Sequence, residues 1–450
     1  MKAITMKDVA RWCSSEFLQD IKIEKISTDS RDVDDKTLFI ALKGDRFDGN
    51  DFVEEVLEKG AAAVVCSRYE GKYKNVLLVK DTGEALLSIA KGYRSWFSIP
   101  FVALTGSVGK TTSKGMIYSV VSKKFNTLRT AGNLNNEIGV PKTLFGIEEY
   151  HQAAVIEMGM NHFGEISRLS QTVLPQIGVI TNVGTAHIEN LGSREGILKA
   201  KCEILDGMEK GSPLIINGDN ELLSGYKNDD YRLIRFGLSE SNDMRAENIV
   251  PDSEGSHFTA VYGAERADAF VPAVGMHNVY NALCAMCVGV ELGYTLKEAA
   301  EGLVDFIPEG MRQKITPVKG MMFIEDCYNA NLDSMCAALE TLKTLKNKRS
   351  IAVLSDMLEL GDYSDEAHRK VGTKAAETGC DFVFCFGQAT KSTTAAVAEK
   401  GGQAKFFSSK TELTDYLRSF LKEGDTVLFK GSRGMKTEEI FTALYEEWQV

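Results

Sequence analysis

The sequence predicts an α/β protein built as three domains, and three observations lead there. The chain has 450 residues, and domains of roughly 150 residues are the norm. Short apolar, strand-like runs alternate with longer helix-like stretches. The pattern also resets twice, near Pro100 and near Pro308. The expected boundaries are 1–99 for a small N-terminal α/β domain, 100–308 for a central parallel-sheet domain and 309–450 for a C-terminal Rossmann-like domain.

In the first domain the runs KTLFIAL, AAAVVC and NVLLV read as strands, and DFVEEVLEKGA and EALLSIAKGYRSWF as helices, ending at Ser98-Ile99-Pro100. In the second, the strand FVALTG leads through a glycine-rich turn into the helix KTTSKGMIYSVVSKKF; AAVIEMG, IGVITNVG and SPLIING follow as strands. In the third, MMFIEDC, SIAVLSDM, DFVFCFG, AKFFSS and DTVLFKGS alternate with helical segments up to Trp448.

Composition narrows the function. The chain carries 52 basic and 63 acidic residues, a net charge of −11, with 44% hydrophobic residues. That is a globular profile, and it lacks the positive field that gathers nucleic acid or anionic lipid. The start MKAITMKDVARWCSSEF has no signal-peptide core and no run is long enough to span a bilayer, so a cytoplasmic protein without membrane insertion is expected. Nine cysteines without framework spacing read as free thiols, and Cys284 and Cys287, in the apolar run ALCAMCVGVEL, read as buried small residues rather than zinc ligands.

Gly106-Ser107-Val108-Gly109-Lys110-Thr111-Thr112 lie between a strand and a helix, the setting a phosphate-cradling loop requires. Glycines let backbone amides approach phosphate, Lys110 supplies a point charge and the Thr111 hydroxyl suits Mg²⁺. Leu104 stands where the longer pattern has its first glycine, so this is a shortened version and the central domain is P-loop ATPase-like. Glu157 closes the strand AAVIE and His187 follows the strand IGVIT; each is a candidate metal ligand at the carboxyl edge of that sheet, against an ordinary strand-end carboxylate and a packed histidine. Lys201 has Ile197 and Leu205 four residues to either side, so it shares an apolar helix face. Its stem either snorkels to water or its neutral amine takes up CO₂ as a carbamate, and residue chemistry alone favours snorkelling.

TGSVGKTT, TAGNLNNEIGVP, AVIEMGMNHFGEI, AHIENLGSREGILKAKCEI, GMHNVYNAL, DCYNANLDSM, SDMLELG and KGSRGMK together resemble the Mur ligase family over nearly the whole chain. The resemblance implies an ADP-forming amide ligase that joins D-alanyl-D-alanine to UDP-N-acetylmuramoyl-tripeptide through an acyl phosphate, using ATP and Mg²⁺. A monomer is expected. It further implies that Lys110 and Thr111 hold the phosphates and Mg²⁺, that Glu157 and His187 are metal ligands, and that Lys201 is carbamylated. His277, Asn278 and Asn281 are assigned to the nucleotide base, Arg312 to ATP and Asp326 to the ribose. Ser27, Thr28, Asp29, Ser30 and Arg31, with Phe47, Asp48 and Gly49, resemble UDP-binding segments. Asn135 and Asn136 resemble contacts to the muramoyl substrate. Asn329, Asn331, Asp356, Leu358 and Glu359 resemble the wall around the incoming dipeptide, and Arg433 belongs to an anion seat. Leu332 and Ser355 depart from the family pattern, where proline and glycine are expected.

Overall fold

A computed structural model describes residues 1–44 and 47–448. The chain divides into two units: Met1–Leu104, Lys124–Gly178 and Glu203–Ser212 form the first, and Thr105–Lys123, Val179–Cys202 and Pro213–Val450 the second.

In the first unit, strands Lys25–Ser27, Thr37–Ile40, Ala63–Cys66 and Val76–Leu78 pair in that order, all parallel. Leu38, Ile40, Ala63, Val64 and Val65 are all fully buried, which is why these strands read as continuous apolar runs. Helix Thr82–Arg94 begins where the Asp81 carboxylate accepts the Gly83 and Glu84 amides. Its end is anchored twice. The Tyr93 hydroxyl donates to the Ile147 carbonyl at 2.6 Å, and the buried Arg94 donates to the Val173 carbonyl at 2.6 Å while lying 4.0 Å over the Phe101 ring. A second parallel set runs Phe101–Thr105, Ala153–Glu157, Thr127–Arg129, with Leu104 opposite Glu157.

In the second unit the strands Pro213–Asn217, Arg232–Gly237 and Met244–Pro251 are parallel. The sheet then departs from the expected pattern, because Met244–Pro251, Ser256–Tyr262 and Glu265–Val271 form an antiparallel meander. Their burial alternates, so no apolar run announces them. Helix Met276–Glu291 covers this region, with Cys284 and Cys287 fully within its packed side and their thiols pushed up by burial.

The last sheet has the order Lys314–Val318, Met321–Asp326, Asp425–Lys430, Arg349–Ser355, Phe382–Phe386, Ala404–Phe407. The first pair is antiparallel and the rest parallel, so the Rossmann-like expectation holds with one added edge strand. Ala352, Leu354 and Leu428 pack to one face against Ala338 and Leu339, and Val353, Val427 and Phe429 to the other against Leu413 and Phe441. Burial on both faces fixes the strand direction and delivers Asp326, Ser355 and Lys430 to one carboxyl edge. The expected α/β class, with a central parallel sheet and a C-terminal sheet domain, is what the chain adopts.

Candidate active site

The phosphate loop is held in shape before any ligand arrives. Gly109 adopts a left-handed φ of +79° and opens the helix Lys110–Val121. The Asn182 side-chain oxygen accepts the Ser107 amide at 3.0 Å and the Val108 amide at 2.9 Å. Thr181 Oγ1 donates to the Val108 carbonyl at 2.7 Å, and the Gly184 amide donates to Ser107 Oγ at 3.0 Å. Lys110 Nζ donates to the Gly106 carbonyl at 2.7 Å, so its ammonium folds back over the loop it serves. Thr111 is buried one residue into the helix.

The motif assigned to the base meets the loop directly. Ser113 Oγ donates to Asn281 Oδ1 at 3.0 Å, and a Cβ at Gly109 would lie 2.7 Å from that same oxygen. Asn281 Nδ2 in turn donates to Asn278 Oδ1 at 3.2 Å. The Asn278 side chain does not cap the helix. Instead it donates to the Val274 carbonyl at 2.9 Å and to Gln313 Oε1 at 3.2 Å. His277 Nε2 lies 3.0 Å from Gln313 Oε1, and burial holds its imidazole below the usual range. Arg312 sits 4.0 Å over the Tyr328 ring.

At the carboxyl edge of the C-terminal sheet, Lys430 is buried and donates to Asp326 Oδ2 at 2.7 Å and to the Asn329 carbonyl at 3.1 Å. Asn331 caps the helix Leu332–Leu345 by accepting the Ser334 amide at 2.9 Å, and its Nδ2 lies 3.5 Å from the Ser107 carbonyl. Asp356 accepts the Thr390 amide at 3.0 Å, and burial pushes its carboxyl up. Leu358 and Glu359 are exposed, and Glu359 Oε2 lies 3.0 Å from His187 Nδ1. Arg433 pairs with Glu438 at 2.7 Å.

In the first unit, Glu157 is 1% exposed and its Oε1 accepts Asn135 Nδ2 at 2.8 Å. Asn136 Oδ1 accepts the Gly139 amide at 2.9 Å, a turn-capping use. Ser27 Oγ accepts the Asp29 amide at 3.1 Å, and Asp29 pairs with Arg31 at 2.7 Å, which holds its carboxyl below the usual range. Thr28 and Ser30 flank that turn, half-buried. Phe47 is 74% exposed beside Asp48, whose carboxylate accepts the Asn50 amide at 3.0 Å. A Cβ at Gly49 would come within 2.7 Å of the Leu42 carbonyl oxygen, so only glycine fits there.

Comparison with known proteins places this geometry. Residues 22–94 match the family described as Mur ligase family, catalytic domain; 104–289 match Mur ligase middle domain; 311–433 match Mur ligase, glutamate ligase domain. A Bacillus subtilis protein named UDP-N-acetylmuramoyl-tripeptide--D-alanyl-D-alanine ligase is 38% identical over 94% of this chain and 93% of its own. The chain belongs to the Mur ligase family. The Escherichia coli protein of the same name is 36% identical over 95% of each chain. Among solved structures, MurF from Acinetobacter baumannii superposes with a TM-score of 0.92 at 31% identity over 99% of both chains. MurF from Thermotoga maritima in complex with ADP gives 0.86 at 26% identity over 94% of this chain and 98% of its own.

In this Mur ligase, Lys201 does not snorkel. It is 1% exposed on the helix Arg194–Cys202, and its amine lies well below the usual range, first through burial and then through the nearby Lys110 charge. Among the described residues no group of three or more His, Cys, Asp or Glu converges into a cage. The Thr111 hydroxyl is a hard oxygen donor of the kind Mg²⁺ takes from protein, with phosphate and water completing its shell. No helix among the described residues is long and apolar enough to cross a membrane.

Sequence reasoning missed several residues that shape this Mur ligase site: Thr181 and Asn182, which splint the loop, and Gln313, which ties His277 to Asn278. It also missed Asp333, whose Oδ2 accepts the Thr185 amide at 3.3 Å. The run Thr181-Asn182-Val183-Gly184 directly after a strand was the available signal, since a polar pair at a sheet's carboxyl edge faces whatever the edge binds.

Proposed function

We propose that this Mur ligase is an ADP-forming ligase that joins D-alanyl-D-alanine to UDP-N-acetylmuramoyl-tripeptide in peptidoglycan precursor synthesis. One observation carries the reading: a pre-splinted phosphate loop with Lys110 over it, in a chain matching curated ligases of that name along almost its full length.

A carboxylate resists attack by an amine in water, so it must be activated. In the proposed reaction a carboxylate oxygen of the tripeptide attacks the terminal phosphorus of ATP, the bond to ADP breaks, and an acyl phosphate forms. The dipeptide amine then attacks the acyl carbon, loses its proton, and inorganic phosphate departs with the bridging oxygen. This chemistry asks the protein chiefly for positioning and charge neutralisation. Lys110 and the amides of the loop hold the phosphates, while Thr111, Glu157, His187 and a carbamylated Lys201 are the proposed holders of Mg²⁺. Bound with the nucleotide, Mg²⁺ supplies charge compensation to the phosphates.

The domains proposed for these tasks are 1–99 for the UDP-sugar peptide, 100–308 for ATP and 309–450 for the dipeptide and for excluding water from the acyl phosphate. The family matches over 22–94, 104–289 and 311–433 support that division. Cytoplasmic residence and a monomeric state complete the proposal. Release of ADP should require both the UDP-tripeptide and the dipeptide, with mass spectrometry finding the new amide; equal release with neither acceptor present rejects the function.

A further inference from the structure

The turn after strand Arg349–Ser355 faces a local problem: the chain must reverse at the sheet edge while the Met357 and Leu358 amides point inward. Two side chains from distant segments answer it. The Met357 amide donates to His368 Nε2 at 3.0 Å, and the Leu358 amide donates to Ser432 Oγ at 3.0 Å. The Ser432 amide closes the loop by donating to the Asp356 carbonyl at 3.2 Å.

His368 is fully buried in the helix Ser364–Glu377, and the partners of its two ring nitrogens fix its tautomer. A backbone amide only donates, so Nε2 carries no proton. The proton is on Nδ1, which donates to the Ser364 carbonyl at 2.7 Å. The ring is thus a rigid acceptor aimed at one amide. One and two residues beyond that amide stand Leu358 and Glu359, both turned outward, with Glu359 reaching His187.

We propose that His368 is a positioning residue for the incoming dipeptide: by holding the Met357 amide it sets the placement of Leu358 and Glu359. This rests on the reading of that turn as the dipeptide wall. The His368 ring bonds the Met357 amide and the Ser364 carbonyl, and only Glu359 leads on from that turn to His187, so its influence should fall chiefly on the dipeptide. A histidine kept only for core packing would instead affect all substrates, or stability alone.

The experiment uses the full chain carrying His368→Gln, His368→Asn or His368→Leu. Glutamine places an oxygen near the Nε2 position, whereas asparagine stops near Nδ1 and leucine offers no acceptor. Amide hydrogen exchange at Met357 and the KM for D-alanyl-D-alanine, ATP and UDP-tripeptide are measured for each. Asparagine and leucine should speed Met357 exchange and raise the dipeptide KM by about tenfold or more, with the other KM values within about twofold; glutamine should restore both readouts to within about threefold. If leucine prevents folding, the contrast of glutamine with asparagine decides. Unchanged Met357 exchange in the asparagine and leucine variants, three KM values rising together, or glutamine no better than asparagine overturns the positioning role. Faster exchange with an unmoved dipeptide KM overturns the assignment of the turn to the dipeptide, and the proposal with it.

Discussion

His187 and Glu359 face each other across 3.0 Å, and both hold the left-handed backbone, with φ of +62° and +61°. Neither is glycine, and a non-glycine residue in this region costs on the order of 1 kcal/mol. Two such residues meeting side chain to side chain show strain concentrated where the central and C-terminal sheets present their carboxyl-edge loops.

Replacing Glu359 by glycine should separate strain from function. The backbone cost disappears, so stability should hold or rise by up to about 1 kcal/mol. The side chain that meets His187 is gone, so kcat/KM for the dipeptide should fall about tenfold or more. Thermal melting and steady-state kinetics on one preparation check both; a variant equally active would remove Glu359 from the site.

Asn182→Ala should weaken ATP binding. The substitution removes the side-chain acceptor of both amides and orphans that of Val108, while Ser107 keeps its bond to the residue-182 carbonyl at 3.2 Å; each lost bond contributes about 1 kcal/mol to loop order. The KM for ATP should rise roughly tenfold while the KM for the dipeptide changes little. Isothermal titration with an ATP analogue measures the loss directly.

Asp333 gives a pH signature with a definite sign. Burial raises its carboxyl above the ordinary value near 3.8. A raised carboxyl contributes stability that is fully present below the unfolded pKa and lost as pH rises through the folded one. Asp333→Asn keeps an acceptor for the Thr185 amide and removes the buried charge. Its melting temperature should exceed that of the unaltered chain by a few degrees at pH 8, and the gap should close as pH falls toward the ordinary carboxyl value. A gap that widens on acidification contradicts the assignment.

Lys201 separates stability from activity most sharply. Lys201→Met fills the same space without a buried amine, so the fold should be as stable or more so. Ligation should nevertheless drop by about a hundredfold or more. Lys201→Ala, which leaves room, should regain part of its activity with a short carboxylic acid added. Full activity of Lys201→Met would refute the carbamate.

The fold was legible where burial is two-sided. Val427, Leu428 and Phe429 are each 0% exposed, and such strands announce themselves as apolar runs. The meander of Met244–Pro251, Ser256–Tyr262 and Glu265–Val271 escaped because its outward residues are polar and it carries no motif. In the site, the glycines around Lys110 and the apolar neighbours of Lys201 spoke locally. Asn182, Gln313 and His368 did not, because each acts on a partner that folding alone brings near. Lys201 is 1% exposed, so its stem does not carry the amine out to water.

In the proposed reaction the terminal phosphate of ATP passes to the tripeptide carboxylate before the amide forms. Tripeptide labelled with oxygen-18 in that carboxylate should transfer one labelled oxygen to inorganic phosphate in each turnover. Phosphate released without the label, while amide accumulates, contradicts the account.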